Sequence, residues 1–367
     1  MIRRYLPKSA EELVEWYMRY ISPLALIAGF IADNLFLTRR VDLLQTNVLL
    51  FSYLVIAAGS IVLINLIQSG QLRHPIYLKM LPLVPVVAQF AFGGLFSGYL
   101  SLYSRSASIS VSWVFVIVIA GLLIGNERFV RFYSRFSFQV ALYFTVLFSF
   151  LIFFLPVVFH QIGPWMFLIS GLMSLGIVAL LLMLLARLIP EVVLSARTTV
   201  ARAIAVIFLT FNVLYFTGAI PPLPLALKDA GVYHQIGRQE DGSYKLTFEP
   251  VPWYDFLHRY NTTYHALLGE SVYALSSIFA PSGLSTVILH EWQHYDDVSR
   301  KWQTTNTVAF PISGGRDGGY RGYSIKYAPT PGAWRVNVIT KYGQLIGRIS
   351  FSVETASSSA ELAEQIQ

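Results

Sequence analysis

Residues 290–294 read His-Glu-x-x-His, the spacing with which zinc metalloproteases place two histidine ligands and a glutamate base. On a helix, His290 and His294 would share one face and ligate zinc, while Glu291 would polarise a water molecule. The preceding residues 285–289 are instead rich in β-branched side chains, and the charged residues at 296–301 are typical of a hairpin turn. We therefore predict a strand, on which Glu291 points away from both histidines. The zinc metalloprotease is kept as a low-ranking alternative, and no cofactor is expected.

A glycine-rich run with arginine and tyrosine side chains follows at 314–323. It lacks the Lys-Ser/Thr pair of a phosphate-binding P-loop, and no helical pattern follows it, so it does not indicate a nucleotide site. The simpler interpretation is a hairpin connection with bulges, in which Arg316 and Asp317 form a local ion pair. The alternative is a cationic and aromatic surface for an anionic or sugar-like ligand. Its candidate residues are Trp292, Arg316, Tyr320, Arg321, Tyr323 and Trp334.

The elements that would position these residues follow from composition. Of the 367 residues, 55% are hydrophobic and 13% are charged, whereas soluble domains are roughly a quarter charged. Apolar stretches long enough to cross about 30 Å of hydrocarbon recur along the first part of the chain. They lie at 20–37, 46–67, 80–103, 107–125, 137–159, 164–186 and 203–220. We predict an α-helical polytopic membrane bundle of about seven transmembrane helices over 1–220, with the first stretch retained rather than cleaved as a signal peptide.

Few polar residues interrupt the apolar stretches. Asp33 and Asn34 lie near one end of the first, and amide side chains occur at Asn65, Gln89, Gln139 and Asn212. We predict that the amides bond between helices and that Asp33 lies at the membrane interface, because a proton-coupled pump normally carries more ionisable groups. A transporter accessory or small-solute permease is the alternative, which Asp33 facing a cavity would favour.

The distribution of charge predicts sidedness. The net charge is +7, and all of the basic excess lies in residues 1–220, which hold 15 Lys and Arg against 7 Asp and Glu; residues 221–367 hold 12 against 13. A nucleic-acid role therefore loses its main support. Alternating loops carry twelve basic residues on one side and three on the other. By the positive-inside rule we expect a bacterial inner-membrane protein with a cytoplasmic N-terminus and a periplasmic region after residue 220.

A second domain is predicted after Ile220. The proline-rich residues 221–224 cannot continue a helix and indicate a stiff linker. Apolar alternation with period two recurs between 244 and 353, which predicts a mostly antiparallel β domain, sandwich-like and immunoglobulin-like, over 221–356. Only 253–269 has helical spacing, and 357–367 is predicted to be a flexible tail. The chain has no cysteine, so disulfides are excluded.

The second domain resembles a known family. The matching residues lie at 220–225, 231–234, 279–281, 290 and 292, 314–324, 332–336 and 347–351. They are similar to uncharacterised bacterial membrane proteins that carry domain of unknown function 2914, whose membrane segment is called domain of unknown function 5924. The resemblance implies that His290 and Trp292 belong to a strand motif in which the intervening residue need not be Glu. It implies no catalytic residue, because the family has no assigned activity.

The sequence thus predicts an integral inner-membrane protein that displays a periplasmic β domain. We expect this domain to act as a binding, sensing or assembly module and not as an enzyme. Its expected partners are the lipid bilayer and a cell-envelope ligand or envelope protein, with no nucleic acid.

Overall fold

The computed structural model describes residues 40–106, 109–126, 132–251 and 260–367, together with Glu12, Trp16, Ala28, Phe30 and Ile31. The described chain divides into two compact units, with the boundary between Ile220 and Pro221 and with the short segment Ser106–Val111 grouped with the second unit.

Helices make up the first unit. In the described ranges up to 220 they are α1 (Leu44–Gln68), α2 (Pro75–Met80), α3 (Val84–Ser106), α4 (Ile109–Asn126), α5 (Phe136–Phe159), α6 (Pro164–Leu188) and α7 (Pro190–Phe216). Proline occupies the first turn of α2, α6 and α7, where its missing N–H would have no helical partner in any case. Among the described residues, five helices are long and apolar enough to cross a membrane: α1, α3, α5, α6 and α7.

These five helices confirm the apolar stretches predicted at 46–67, 80–103, 137–159, 164–186 and 203–220. The last helix begins earlier than expected, at Pro190, because its first turns carry polar residues that lowered the apparent hydropathy. The stretch predicted at 107–125 forms the shorter apolar helix α4. Most of the stretch at 20–37, including Asp33 and Asn34, lies outside the described residues, so the count of seven spans stays a prediction.

Polar side chains in the helical unit bond to neighbouring helices as well as within their own. The Asn65 amide of α1 donates to the Gln139 side-chain oxygen of α5 at 2.5 Å, which confirms the predicted interhelical amide bond for this pair. The Tyr99 hydroxyl of α3 donates to the Val146 carbonyl of α5 at 2.8 Å. Asn212 instead donates to a carbonyl of its own helix. Because lipid offers no alternative partners, such bonds fix how the helices meet.

The second unit is built from strands. They are β1 (Ala226–Tyr233), β2 (Gln235–Arg238), β3 (Tyr244–Phe248), β4 (Thr263–Ala266), β5 (Val272–Phe279), β6 (Ser285–Asp296), β7 (Lys301–Ser313), β8 (Tyr320–Lys326), β9 (Gly332–Thr340), β10 (Leu345–Thr355) and β11 (Ala363–Ile366). The described strands form three sheets, ordered β1-β5-β8, β4-β10-β9-β6-β7 and β11-β3-β2. All pairs are antiparallel except β4 with β10. The antiparallel-rich character is confirmed, while the sandwich-like description stays a prediction.

Two apolar clusters lie on opposite faces of the sheet β1-β5-β8. The larger cluster joins Val272 and Ala274 of β5 to Trp292, Trp334 and other residues of the five-stranded sheet. The smaller cluster joins Leu275 of β5 to residues of β2 and β3. Successive residues of β5 therefore point into different cores, as the period of two along a strand requires.

Two sequence predictions for this unit are corrected. Helical spacing was expected over 253–269, but Thr263–Ala266 form β4, because Tyr264 packs into the larger core and the strand pairs with β10; residues 252–259 lie outside the described part. The tail expected at 357–367 contains β11, which pairs with the free edge of β3. An ion pair between Lys245 and Glu364, at 2.8 Å, accompanies this pairing.

The glycine-rich run connects two different sheets and does not form the expected hairpin, because β7 pairs with β6 whereas β8 pairs with β5. Two glycines of the run lie close to the backbone of neighbouring segments. A Cβ atom at Gly314 would lie 1.8 Å from the carbonyl oxygen of Pro281. Gly319 adopts φ +85°, which favours glycine, and a Cβ there would lie 2.9 Å from the backbone of Ile278.

Gly322 provides a test of the packing between β8 and β7. A Cβ at this position would lie 2.2 Å from the ring of Phe310, so we expect Gly322→Ala to destabilise the domain by about 1–3 kcal/mol through overpacking. Gly237→Ala is the matched control, because a Cβ at Gly237 would meet nothing within 4 Å. Thermal unfolding of the two variants measures the difference. Equal melting temperatures would contradict the described contact.

Candidate functional site

Strand β6 places the His-Glu-x-x-His residues on alternate faces. His290 and Trp292 are fully buried, whereas Glu291 is half-buried on the opposite face of the sheet. The two ring nitrogens of His290 are hydrogen-bonded to hydroxyl groups: Nε2 lies 2.7 Å from Ser276 Oγ, and Nδ1 lies 2.8 Å from Ser324 Oγ. The Trp292 indole N–H donates to the same Ser324 oxygen at 2.9 Å. The predicted strand is thus observed over this motif.

This geometry does not fit zinc. Burial lowers the pKa of His290 to about 4, so the ring stays neutral and serves as a hydrogen-bonding link between β6 and the strands β5 and β8. His294 lies near the end of β6, where its ring packs against Trp334 at 4.7 Å. In the part of the chain that the structure describes, no group of three or more His, Cys, Asp or Glu side chains could hold a metal ion.

The predicted cationic and aromatic surface is only partly assembled. Exposed Arg316 lies over the Tyr320 ring at 5.7 Å. Half-buried Arg321 and exposed Tyr323 alternate along β8 with residues that face the core. Tyr323 contacts Tyr244 and Tyr273 at ring distances of 6.2 and 6.3 Å. These residues remain candidates for binding a ligand.

Trp292 and Trp334 do not belong to that surface, which corrects the prediction for both. Trp292 is 0% exposed and Trp334 is 2% exposed, because both rings fill the larger core. The Trp334 indole N–H donates to the Thr330 carbonyl at 2.8 Å. A buried tryptophan with a satisfied N–H contributes to stability, and its ring is not available to a ligand at the surface.

The opposite face of the same strands carries a continuous polar array. Arg335 on β9 donates from Nε to the Gln293 side-chain oxygen at 2.6 Å, and its guanidinium lies over the Trp302 ring at 4.3 Å. Arg348 on β10 donates from Nε to Asn337 Oδ1 at 2.7 Å. We call Arg335, Arg348 and Trp302, with the side chains that hold them, the arginine face.

A single carboxylate organises the arginine face. Glu291 accepts from the Asn337 amide at 2.9 Å and from the Gln293 amide at 3.0 Å. These amides in turn accept from the two arginines, so each guanidinium is fixed through a chain of two hydrogen bonds. Because both bonds engage Nε, the terminal nitrogens keep the geometry that suits a carboxylate or phosphate.

Electrostatics agree with a surface that attracts anions. Burial lowers the pKa of Arg335, and the charge of nearby Arg348 lowers it further, whereas Glu291 raises it. Burial also lowers the pKa of Arg348. The two arginines remain charged at neutral pH, because the guanidinium group is too strongly basic to lose its proton in a protein. Two positive charges near one carboxylate leave a net positive surface that an anionic group would neutralise.

Sequence reasoning missed the arginine face, although a signal was present. In β9, Trp334, Val336 and Val338 alternate with Arg335 and Asn337. Val336 and Val338 lie in the core as this alternation predicts, and Trp334, which we had placed at the ligand surface, lies there with them. Arg335 and Asn337, which alternate with the apolar residues, must therefore share the opposite face. Which residues of β6 and β10 lie next to them depends on strand pairing, and the sequence does not show that pairing.

A second polar cluster lies where several strands end. His234 bridges two carboxylates, with Nδ1 2.7 Å from Glu270 Oε1 and Nε2 2.9 Å from Glu249 Oε1. Glu249, which is buried, also accepts from the backbone N–H and from Nδ1 of His265, both at 2.7 Å. The His234 ring stacks on Tyr264 at 4.2 Å. The cluster therefore joins the ends of β1, β3, β4 and β5.

The cluster shifts the pKa of two groups in opposite directions. Burial lowers the pKa of His234, but hydrogen bonds and charges from Glu249 and Glu270 outweigh it, so the net shift is upward. Burial raises the pKa of Glu249, but bonds from His234 and His265 outweigh it, so the net shift is downward. Folding thus favours the ion pair between a protonated His234 and an ionised Glu249.

Most of the five-stranded sheet lies in a region that matches a known protein family. Residues 285–353, which span β6 to β10, match the family described as protein of unknown function (DUF2914). The match includes His290 and Trp292 and all three members of the arginine face. It confirms the resemblance over these residues, which form a DUF2914 region, whereas the likeness of the membrane segment to domain of unknown function 5924 stays a prediction.

Other comparisons add little. No curated protein matches the chain. Among solved structures, the chain is similar to the Pseudomonas fluorescens alkylpurine DNA glycosylase AlkC bound to DNA containing an abasic site analog, with 12% identity over 83% of this chain and 97% of that one. The TM-score is 0.23, so this likeness carries no argument about fold or function.

Zinc should have no effect on the protein. Because Glu291 lies on the face opposite His290, and both His290 nitrogens are engaged, we expect the melting temperature to be the same with added zinc and with a chelator. Differential scanning calorimetry of the full chain in micelles measures this. A rise in melting temperature that zinc produces and that His294→Ala abolishes would contradict the described geometry.

The His234 cluster should make stability depend on pH. A histidine whose pKa is raised by folding stabilises the fold below its ordinary value of 6.5 and loses that effect as pH rises through the raised value. A carboxylate with a lowered pKa stabilises the fold above its ordinary value of 4.5 and loses that effect as pH falls. The difference in melting temperature between wild type and His234→Gln should therefore be largest between about pH 4.5 and 6.5 and shrink as the pH rises further.

The comparison with His234→Gln is necessary because His290 changes stability with pH in the direction opposite to His234. Its lowered pKa makes the fold less stable as pH falls below 6.5. Subtracting the His234→Gln profile from the wild-type profile removes this contribution, since His290 is present in both. A difference that does not change with pH would show that His234 is not held as an ion pair.

Proposed function

We propose that this chain is a multi-pass inner-membrane protein whose sandwich-like C-terminal domain lies on the periplasmic side. There the domain binds an anionic ligand of the cell envelope and catalyses no reaction. The observation that carries the proposal is the arginine face, in which Arg335 and Arg348 are held through Nε on one sheet surface and Arg335 lies over Trp302.

The arrangement favours binding over a purely structural role. A surface arginine that only solubilises a protein needs no fixed geometry, whereas here each guanidinium is oriented by an amide that Glu291 holds in place. Preorganised donors lose less conformational entropy when an anion binds. The Trp302 ring adds an apolar plane beside Arg335, a combination that suits a carboxylated sugar or another ring-bearing acid.

A non-enzymatic role is supported by the chemistry of the histidines. His290 is enclosed and neutral, and His234 is engaged by two carboxylates. In the described ranges neither ring is arranged beside an exposed serine or threonine as a base for nucleophilic attack. The location proposed for the domain rests on the excess of basic residues on one side of the membrane spans.

A short oligogalacturonate, which carries carboxylates on sugar rings, is a direct probe. We expect the full chain in phosphatidylcholine nanodiscs to bind it and not its neutral methyl ester. The double variant Arg335→Gln with Arg348→Gln should bind at least about 10-fold more weakly, because each charge-assisted hydrogen bond contributes roughly 1.5–3 kcal/mol. Microscale thermophoresis measures both affinities.

Two controls decide where the anion binds. Arg238→Gln removes one charge from β2, in another sheet, and should leave the affinity unchanged. Arg316→Gln with Arg321→Gln tests the glycine-rich connection. Loss of binding in this second pair alone would assign the ligand to that connection and overturn the arginine face as the site. Equal binding of the acid and the methyl ester would overturn the anionic ligand itself.

A further inference from the structure

A cavity of about 480 Å³ lies between α5, α6 and α7 of the helical unit. Its volume falls within the range of roughly 300–1,000 Å³ that is typical of ligand pockets. The lining is apolar except for one side chain, Arg197. Both α6 and α7 are largely exposed on the surface of this unit, so the cavity borders the region where lipid chains would lie.

The cavity begins next to a close contact between α6 and α7, because its lining residue Phe208 also packs against Gly171. Near the start of α6 the two helices are in close contact: Phe167 stacks on Tyr215 at 3.9 Å, and a Cβ at Gly171 would lie 2.8 Å from Phe208. Closer to the link at Ile189, the cavity lies between α6 and α7, and Leu182 and Arg197 line it. Of the α7 residues that line the cavity, Val193 and Arg197 lie nearest to the turn from α6 to α7.

Arg197 belongs to the stripe of α7 that faces this cavity. The lining positions of α7 are 193, 197, 200, 201, 204, 205 and 208, a spacing of three and four residues that places them on one helical face. Arg197 therefore lies in line with Val193 and Val200. It is the eighth residue of α7, about 10 Å from the helix start.

A charge in this position needs a partner of opposite sign. In the part of the chain that the structure describes, no carboxylate pairs with Arg197. Arg202, on another face of the same helix, donates to the Thr198 carbonyl at 3.2 Å. Arg135 and Arg187 lie at the same end of the helical bundle, whereas 160–163 and 217–220 at the opposite end contain no Lys or Arg. This basic end attracts anionic lipids.

We propose that the cavity is a binding site for one anionic phospholipid. Its acyl chain occupies the apolar lining between α6 and α7, and Arg197, at the end of the lining nearest the turn, binds its phosphate. The apolar lining suits the acyl chain, and the charge of Arg197 suits the phosphate. The surrounding bilayer is the source of the lipid. The site is separate from the arginine face, so it does not depend on the function proposed for the C-terminal domain.

Native mass spectrometry tests the proposal. The full chain is extracted from vesicles of equal parts phosphatidylglycerol and phosphatidylcholine, and the lipids that remain bound are counted. We expect phosphatidylglycerol to be retained in preference to phosphatidylcholine. Arg197→Gln should reduce this preference about fivefold, the factor that corresponds to roughly 1 kcal/mol per basic residue at a membrane surface. Arg197→Lys should keep most of it.

Two matched controls separate the parts of the site. Arg202→Gln removes the same charge from the same helix and should leave the preference unchanged. Ala201→Phe fills the cavity and should reduce retention of both lipids, whereas Val206→Phe, at an exposed position outside the lining, should not. Equal effects of Arg197→Gln and Arg202→Gln would overturn the proposal, as would displacement of the lipid by inorganic phosphate or equal retention of both lipids by wild type.

Discussion

Burial of β5 on both faces is the constraint on which the C-terminal unit depends. One face of this strand packs against the five-stranded sheet and the other against β2 and β3. A strand enclosed in this way cannot rely on water to satisfy its polar side chains. Ser276 on β5 and Ser324 on β8 are paired with the neutral ring of His290, which therefore acts as the polar link across an otherwise apolar core.

The same constraint positions the arginine face. Because Trp334 and Val336 are fixed in the core, Arg335 between them must point outward, and the same argument places Glu291 between His290 and Trp292. Core packing thus sets the register of β6 against β9, and the register sets which polar side chains meet. The rigidity of the arginine face derives from apolar contacts on its reverse side.

The sequence predicted those helices and strands that can be recognised from the spacing of neighbouring residues. The strand at 290–294 and the five helices that are long and apolar enough to cross a membrane followed from period and hydropathy alone. Strands β4 and β11 were missed because each pairs with a strand distant in sequence, β10 and β3 respectively. The His234 cluster was missed for the same reason, since it joins four strand ends. Trp334 was misplaced because a tryptophan ring suits a core as well as a surface.

The position of β7 at the edge of its sheet bears on whether copies of the domain aggregate when they are crowded together. Within the described strands, this one of 13 residues pairs on one side only, with β6. Its free edge could template aggregation with a neighbouring copy. Two features oppose that: a bulge interrupts the pairing opposite Trp292, and Pro311 lacks the N–H that a new strand would require. Polymerisation through this edge is therefore disfavoured, even at the high local concentrations that confinement to a membrane produces.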